Sequence, residues 1–260
     1  MVDGRGGAPA GAQGESDSAS APGESSAPDE SPPMPMHEAS SAHAHSMHAG
    51  DAGGHAGAEA SDDATIRHSF EDVERWVKMF DDPARDQWQK PREVIEALGI
   101  EPGGSVADIG AGTGYFSPYL ARAVGPDGVV YAVDVEPNFV QYLRMRAERE
   151  EMANLIPILG SYDNPRLPPK ALDVILIVDT YHHIDGRRAY FRSLLRTLKR
   201  GGRLVIVDFK KEDAPVGPPL EHKIAAAQVE EELSAAGYRL TSRLSLLPYQ
   251  YLLIFEPAHQ

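Results

Sequence analysis

From Ser105 onward, short continuous apolar runs alternate with segments whose apolar residues recur at helical spacing. The runs at 105–110, 129–135, 155–159, 173–179 and 202–209 are apolar at successive positions, the mark of strands buried on both faces. Between them, 115–124, a stretch opening at Pro137 and running to about Glu150, and 188–200, stopped by Gly201 and Gly202, read as helices. A further helix is expected over 221–238, ended by Gly237, before a strand pair at 239–247 and 249–255 around Pro248. Strands that alternate with helices predict an α/β domain, a doubly wound and mostly parallel sheet with helices on both faces and one antiparallel strand in the closing pair.

Upstream, residues 68–100 change to helical periodicity. Phe70, Val73, Val77 and Phe80, with Trp76 beside them, form one apolar face, and Ser69 followed by Asp72 suits an N-terminal cap. Pro83 and Pro91 punctuate this stretch into a long helix, a turn and a shorter helix with Val94, Ile95 and Leu98 facing inward. It is expected to act as a helical lid, residues 66–100, before a main domain at 101–260.

Composition separates off the first 65 residues, which contain no Phe, Trp, Tyr, Ile or Leu. Such a segment cannot bury enough apolar surface to offset its ordering entropy, and a disordered N-terminal tail is expected. It carries 11 acids and one arginine, against 28 acids and 24 bases in the remainder. A formal charge of −14 therefore divides into about −10 for the tail and −4 for the rest, a balance that offers no footprint for nucleic acid or anionic membrane. The chain has no cysteine, which removes disulfides, thiolate nucleophiles and thiolate metal sites, and no metal site is assigned to the folded part. With no apolar run of transmembrane length and no signal-like start, the expected location is cytoplasmic, or exported if an upstream signal was missed.

The chemistry concentrates in "VADIGAGTGYF", residues 106–116, where Gly110, Gly112 and Gly114 fall on the first strand-to-helix turn. Missing Cβ atoms there let backbone N–H groups approach a ligand. Asp108 precedes the first glycine by two residues, and Asp134 ends the next strand, where a carboxylate can accept both hydroxyls of a ribose. The spacing differs from the Gly-x-Gly-x-x-Gly of dinucleotide sites.

With "VADIGAGTGYFSPYLARAVGPDGVVYAVDVEP", "LDVILIVDTYHHI" and "LKRGGRLVIVDF" in this order, the chain resembles the class I S-adenosylmethionine-dependent methyltransferases over roughly residues 68–257. The resemblance implies a seven-stranded sheet with a reversed terminal strand and S-adenosylmethionine as cofactor. It places Gly110, Ala111, Gly112, Thr113 and Gly114 around the methionine moiety, with Asp108 orienting the amino group. It further puts Asp134 on the ribose, Val135 and Glu136 beside the adenine, Tyr162 or Asp163 at the adenine edge, and Asp179 on the cofactor side of the fourth strand. "GSYDNP" departs from the usual adenine-contact pattern at that last position.

Methyl transfer by in-line displacement asks the protein for alignment and, for a weak nucleophile, a base. Asp179, Tyr181, His182 and His183 in "VDTYHHI" are the candidates for catalysis, since an imidazole titrating near neutrality can deprotonate a hydroxyl or a protonated amine. The structural alternative stands beside it, one imidazole capping the turn and the other packed. Trp88, Gln89, Lys90, Lys210, His222 and Tyr249 to Tyr251 are further polar candidates near the pocket, with Trp76 and Trp88 also suited to anchoring the lid. No Asn-Pro-Pro-Tyr motif of amino-methylating nucleic-acid enzymes follows the fourth strand, so a small-molecule acceptor is expected.

Residues 34–55 gather five of the ten histidines and three of the seven methionines, among them His43, His45 and His48. Imidazole and thioether suit copper or nickel, so weak transition-metal binding by the tail and a linker of no set function are both open readings. The tract supports a rival to the enzyme, a non-catalytic cofactor-binding or metal-sensing protein.

Overall fold

A computed structural model describes residues 73–258. The expected disordered tail, its histidine and methionine tract, Phe70 and the Ser69–Asp72 cap lie outside the described residues.

The sheet contains β1 (Ser105–Ile109), β2 (Val129–Asp134), β3 (Leu155–Leu159), β4 (Leu172–Val178), β5 (Leu198–Phe209), β6 (Tyr238–Leu244) and β7 (Gln250–Pro257), in the order β3-β2-β1-β4-β5-β7-β6. The first five strands pair in parallel, and β7 runs antiparallel to both β5 and β6. This is the expected seven-stranded sheet with one reversed strand. The order turns back between β1 and β4, so the loops leaving these two strands diverge and open a crevice at their carboxyl ends.

Alternate residues of the strands feed two cores. Val106, Val130, Val174, Leu176, Val205 and Leu252 pack beneath α3 (Pro91–Leu98), α4 (Ser117–Val124) and α5 (Pro137–Arg149). Ala107, Ile175, Ile177, Leu204, Ile206 and Leu253 meet α6 (Arg187–Leu194) and α7 (Ala226–Ala236) on the other face. Because both faces are covered over the inner strands, β1, β2, β4 and the second half of β5 read as unbroken apolar runs.

Two helices differ from their expected extents. The helix expected at 188–200 ends at Leu194, and residues from Leu198 already belong to β5. Ala171 and Leu172 both donate to the Thr197 carbonyl, and β4 advances from Leu172 to Val174 while β5 advances from Leu198 to Arg203, so the "LKRGG" segment is absorbed as a bulge. The helix expected from 221 starts at Ala226: Leu220–His222 form a 3-10 turn, and Lys223 after it is extended and buried, its Nζ donating to the Glu212 carbonyl at 2.8 Å. Upstream, α1 spans Val73–Phe80, and the expected turn between Pro83 and Pro91 holds a 3-10 turn (Pro83–Arg85) and a one-turn helix, α2 (Asp86–Gln89); the Asp82 carboxylate caps the 3-10 turn by accepting from Ala84 N at 2.8 Å. Within this segment α3 is core, with Val94 and Leu98 fully buried, whereas α1 buries no residue completely.

Asn154, ahead of β3, donates through Nδ2 to the carbonyls of Ala121 and Gly125, each at 2.8 Å, and so satisfies the carboxyl end of α4. Asn154→Ala should lower the unfolding free energy by about 1–2 kcal/mol, read from the denaturant midpoint at unchanged m-value. An unchanged midpoint would show that water replaces both bonds at no cost.

Candidate active site

The turn from β1 into α4 is pinned to β2: Gly110 N and Ala111 N both donate to the Val133 carbonyl, at 2.8 and 3.0 Å. Two of its glycines are dictated by packing. A Cβ on Gly110 would stand 2.3 Å from Thr180 Oγ1, and one on Gly114 would stand 2.6 Å from Leu143 Cδ2. Gly112 is different: its φ of +56° favours glycine, but a Cβ would meet only Phe80, at 3.6 Å.

Asp134 closes this turn from the end of β2. Its Oδ2 accepts from Gly112 N at 2.8 Å and its Oδ1 from Glu136 N at 3.0 Å. Burial pushes its pKa up to about 6, against the stabilising pull of the Glu136, Gly112 and Val135 amides. Val135 and Glu136 follow at the mouth of the crevice, both half-buried. Tyr162 comes from the turn after β3 and donates to Glu136 Oε1 at 3.4 Å, while neighbouring Asp163 accepts from Ser161 Oγ at 2.7 Å. The structure thus groups Asp134, Glu136 and Tyr162 on one side of the glycine turn.

On the other side lie Asp108 and Asp179, at the carboxyl ends of β1 and β4. Asp108 is 3% exposed, and burial, then the Asp134 charge, raises its pKa to about 7, with Arg85 opposing. Asp179 takes a left-handed backbone conformation, φ +51°, that Asp tolerates better than most residues. Its Oδ2 lies 3.1 Å from Arg85 Nη2 and its Oδ1 accepts from Gln250 Nε2. Burial raises Asp179 to about 7, against the pull of Arg85.

The residues after Asp179 divide. Tyr181 turns into the core, stacked on Phe191 with ring centroids 5.1 Å apart, and its hydroxyl donates to Glu232 Oε2 at 2.5 Å. Burial, with Glu232 adding, keeps this phenol protonated far beyond neutral pH. His182 turns toward the end of β5, where its Nδ1 lies 2.9 Å from Asp208 Oδ2. Burial alone would lower the His182 pKa, but the Asp208 carboxylate, helped by Asp179, holds it above the ordinary value. His183 is half-buried with its ring 4.2 Å from that of His182.

The segment ahead of β1 also reaches the crevice, and three of its side chains there, Asp81, Arg85 and Asp86, were not singled out by the sequence pattern. Arg85 reaches the crevice, Asp81 accepts from Thr113 Oγ1 at 2.7 Å and from Arg146 at 2.8 Å, and Asp86 accepts from the Tyr115 hydroxyl. Gln89 is fully buried and donates to Gln250 Oε1 at 2.8 Å, and Trp88 lies 5.7 Å from the Phe209 ring. Of the other polar candidates, Lys90 and Lys210 donate to the carbonyls of Leu246 and Pro248. Tyr251 is buried in the core, Tyr249 is half-buried, and His222 ends a short 3-10 turn. One signal for Asp208 was present in the sequence: like Asp134 and Asp179, it is an acid closing an apolar strand.

Among the described residues no cluster of three metal-ligating side chains occurs, and no helix is long and apolar enough to cross a membrane. An open groove of about 550 Å³ between α6 and α7 is lined by Gly186, Arg187, Arg188, Ala189, Arg192 and Glu232, none of which belongs to the crevice. The crevice itself fits S-adenosylmethionine. A carboxylate at Asp134 suits the ribose hydroxyls, and the carboxylates of Asp108, buried, and Asp179, half-buried, suit the ammonium and sulfonium charges.

Known proteins agree with this geometry. Residues 107–206 match the family described as a methyltransferase domain. A ubiquinone/menaquinone biosynthesis C-methyltransferase from Ectopseudomonas mendocina is 30% identical over 162 residues, which are 62% of this chain and 61% of that protein. The counterpart from Pasteurella multocida is 29% identical over 136 residues, 50% and 47% of the two chains, so the chain spans about half to three-fifths of these curated relatives. The crystal structure of a SAM-dependent methyltransferase from Aquifex aeolicus superposes with a TM-score of 0.68 at 29% identity, covering 71% of this chain and 97% of that one. With strand order, glycine turn and strand-end carboxylates all in place, the chain belongs to the class I S-adenosylmethionine-dependent methyltransferases.

Proposed function

We propose that the protein transfers a methyl group from S-adenosylmethionine to a small molecule bearing an acidic hydroxyl, such as a phenol, on its oxygen or on a ring carbon that the phenolate activates. The observation that carries the cofactor half is Asp134, buried at the end of β2 and already bound to the Gly112 amide of the turn it faces. The acceptor half rests on His182. With Nδ1–H donated to Asp208, the imidazole is held as the tautomer whose Nε2 is basic, the atom that takes the acceptor's hydroxyl proton. When bound, S-adenosylmethionine supplies an electrophilic methyl carbon on a sulfonium. Similarity to quinone-biosynthetic C-methyltransferases favours an aromatic acceptor. In this reading Gly110, Ala111, Gly112, Thr113, Gly114 and Asp108 line the methionine end, and Val135, Glu136, Tyr162 and Asp163 border the adenine. Tyr181 holds the His182 turn in place through Glu232.

Calorimetric titration of the full chain with S-adenosylmethionine should show binding, and Asp134→Ala should weaken it about 10- to 100-fold, the loss of one or two charge-assisted hydrogen bonds. Absence of binding by the unaltered chain would overturn the cofactor assignment.

Affinity should also depend on pH. Asp108 and Asp179 titrate near pH 7 in the ligand-free protein, so below that they are neutral and attract a cation poorly. Affinity for S-adenosylmethionine should therefore rise as pH rises from about 6 to 8, with net proton release at pH 6.5 measurable in buffers of different ionisation enthalpy. A flat profile would show that neither carboxyl changes its ionisation on binding.

In NMR titrations His182 should retain its proton above the ordinary imidazole range, and Asp208→Asn should lower its pKa by removing the facing charge. An unmoved titration in the variant would remove Asp208 from the proposed base.

A further inference from the structure

The cofactor reading assigns groups to the ribose and to the cationic centres but leaves the methionine carboxylate without a partner. Arg85 lies in the 3-10 turn of the lid, yet its guanidinium ends at the carboxyl ends of β1 and β4, 3.1 Å from Asp179 and close enough to Asp108 to pull on its ionisation. It is held there from several directions. Nε and Nη2 donate to Gln89 Oε1 at 3.2 and 3.1 Å, Nη1 donates to the Phe80 carbonyl at 3.1 Å, and the Tyr115 ring lies 4.3 Å beneath it. Gln89 is itself fixed by Gln250. The side chain is 13% exposed, so the fork is placed before any ligand arrives.

We propose that Arg85 receives the α-carboxylate of S-adenosylmethionine, exchanging its Asp179 partner for it, and that Asp179 then receives the α-ammonium. The proposal rests on the cofactor reading above. Its physical basis is charge complementarity: the amino-acid end of the cofactor is a zwitterion, and the Arg85–Asp179 pair is the same zwitterion in reverse. Opening one largely buried pair to accept the ligand creates two pairs and leaves neither charge alone, which makes the exchange favourable where simple rupture is costly. A guanidinium matches a carboxylate with two parallel N–H donors, a geometry that an ammonium cannot reproduce. Because Arg85 belongs to the lid, the same contact ties the lid to the bound cofactor.

Decarboxylated S-adenosylmethionine, which lacks only this carboxylate, is the probe. It carries one more net positive charge than the cofactor, so a crevice rich in carboxylates would favour it if no cation met the carboxylate. The full chain, titrated with each ligand in turn, should bind S-adenosylmethionine roughly 10- to 100-fold more tightly than the decarboxylated form. Arg85→Gln should lose that preference by weakening the first ligand and sparing the second, and Arg85→Lys should keep a reduced preference. No preference in the unaltered chain, or equal weakening of both ligands in Arg85→Gln, would overturn the proposal while leaving the cofactor reading intact. If neither ligand bound the unaltered chain, the cofactor reading itself would fail. Should Arg85→Gln not fold, as judged by circular dichroism, the Arg85→Lys variant and the discrimination by the unaltered chain decide.

Discussion

Four carboxylates at the carboxyl ends of neighbouring strands, Asp108, Asp134 and Asp208 buried and Asp179 largely so, set the terms for everything around them. Burying a carboxylate is costly unless it is paired, hydrogen-bonded or neutralised by a proton, and each of the four resolves that cost differently. Asp134 collects backbone amides, Asp208 takes an imidazole and the Phe209 amide, and Asp179 takes a guanidinium and a side-chain amide. Asp108 relies most on the proton, which burial holds on it up to about pH 7. The glycine turn, the histidine and the lid are the partners that these acids require, gathered where β1 and β4 diverge.

Much of this was legible in the sequence. The inner strands β1, β2 and β4 read correctly because a sheet covered on both faces there needs apolar residues at every position, and the glycine turn stood out between such a strand and a helix. Asp134 was legible because it ends its strand. The segment "LKRGG" was not, since its fate depends on pairing of Leu198 with Leu172 across the sheet, a contact that no local periodicity encodes. Lys223, extended where a helix is expected, likewise meets a carbonyl eleven residues upstream, that of Glu212.

The partners of the acids were the least legible. Arg85 reads locally as a surface residue after a proline, and Gln250 as one polar position in a closing strand. Their roles arise from positions far apart in the chain: Arg85 meets Asp179 across 94 residues, and Gln89 meets Gln250 across 161. The pair "HH" divides into one histidine on Asp208 and one beside it, a difference set by which neighbour each ring meets and not by residue type.

The Gln89–Gln250 pair joins the segment that precedes the first strand to the last strand of the sheet. During synthesis the glycine turn emerges early, but Gln250, which fixes Gln89, arrives only with β7, after more than half of the described chain has followed. The crevice is therefore among the last parts of the molecule to be completed, and a chain cut short before β7 would have its glycine turn but lack Gln250, the partner of both Gln89 and Asp179.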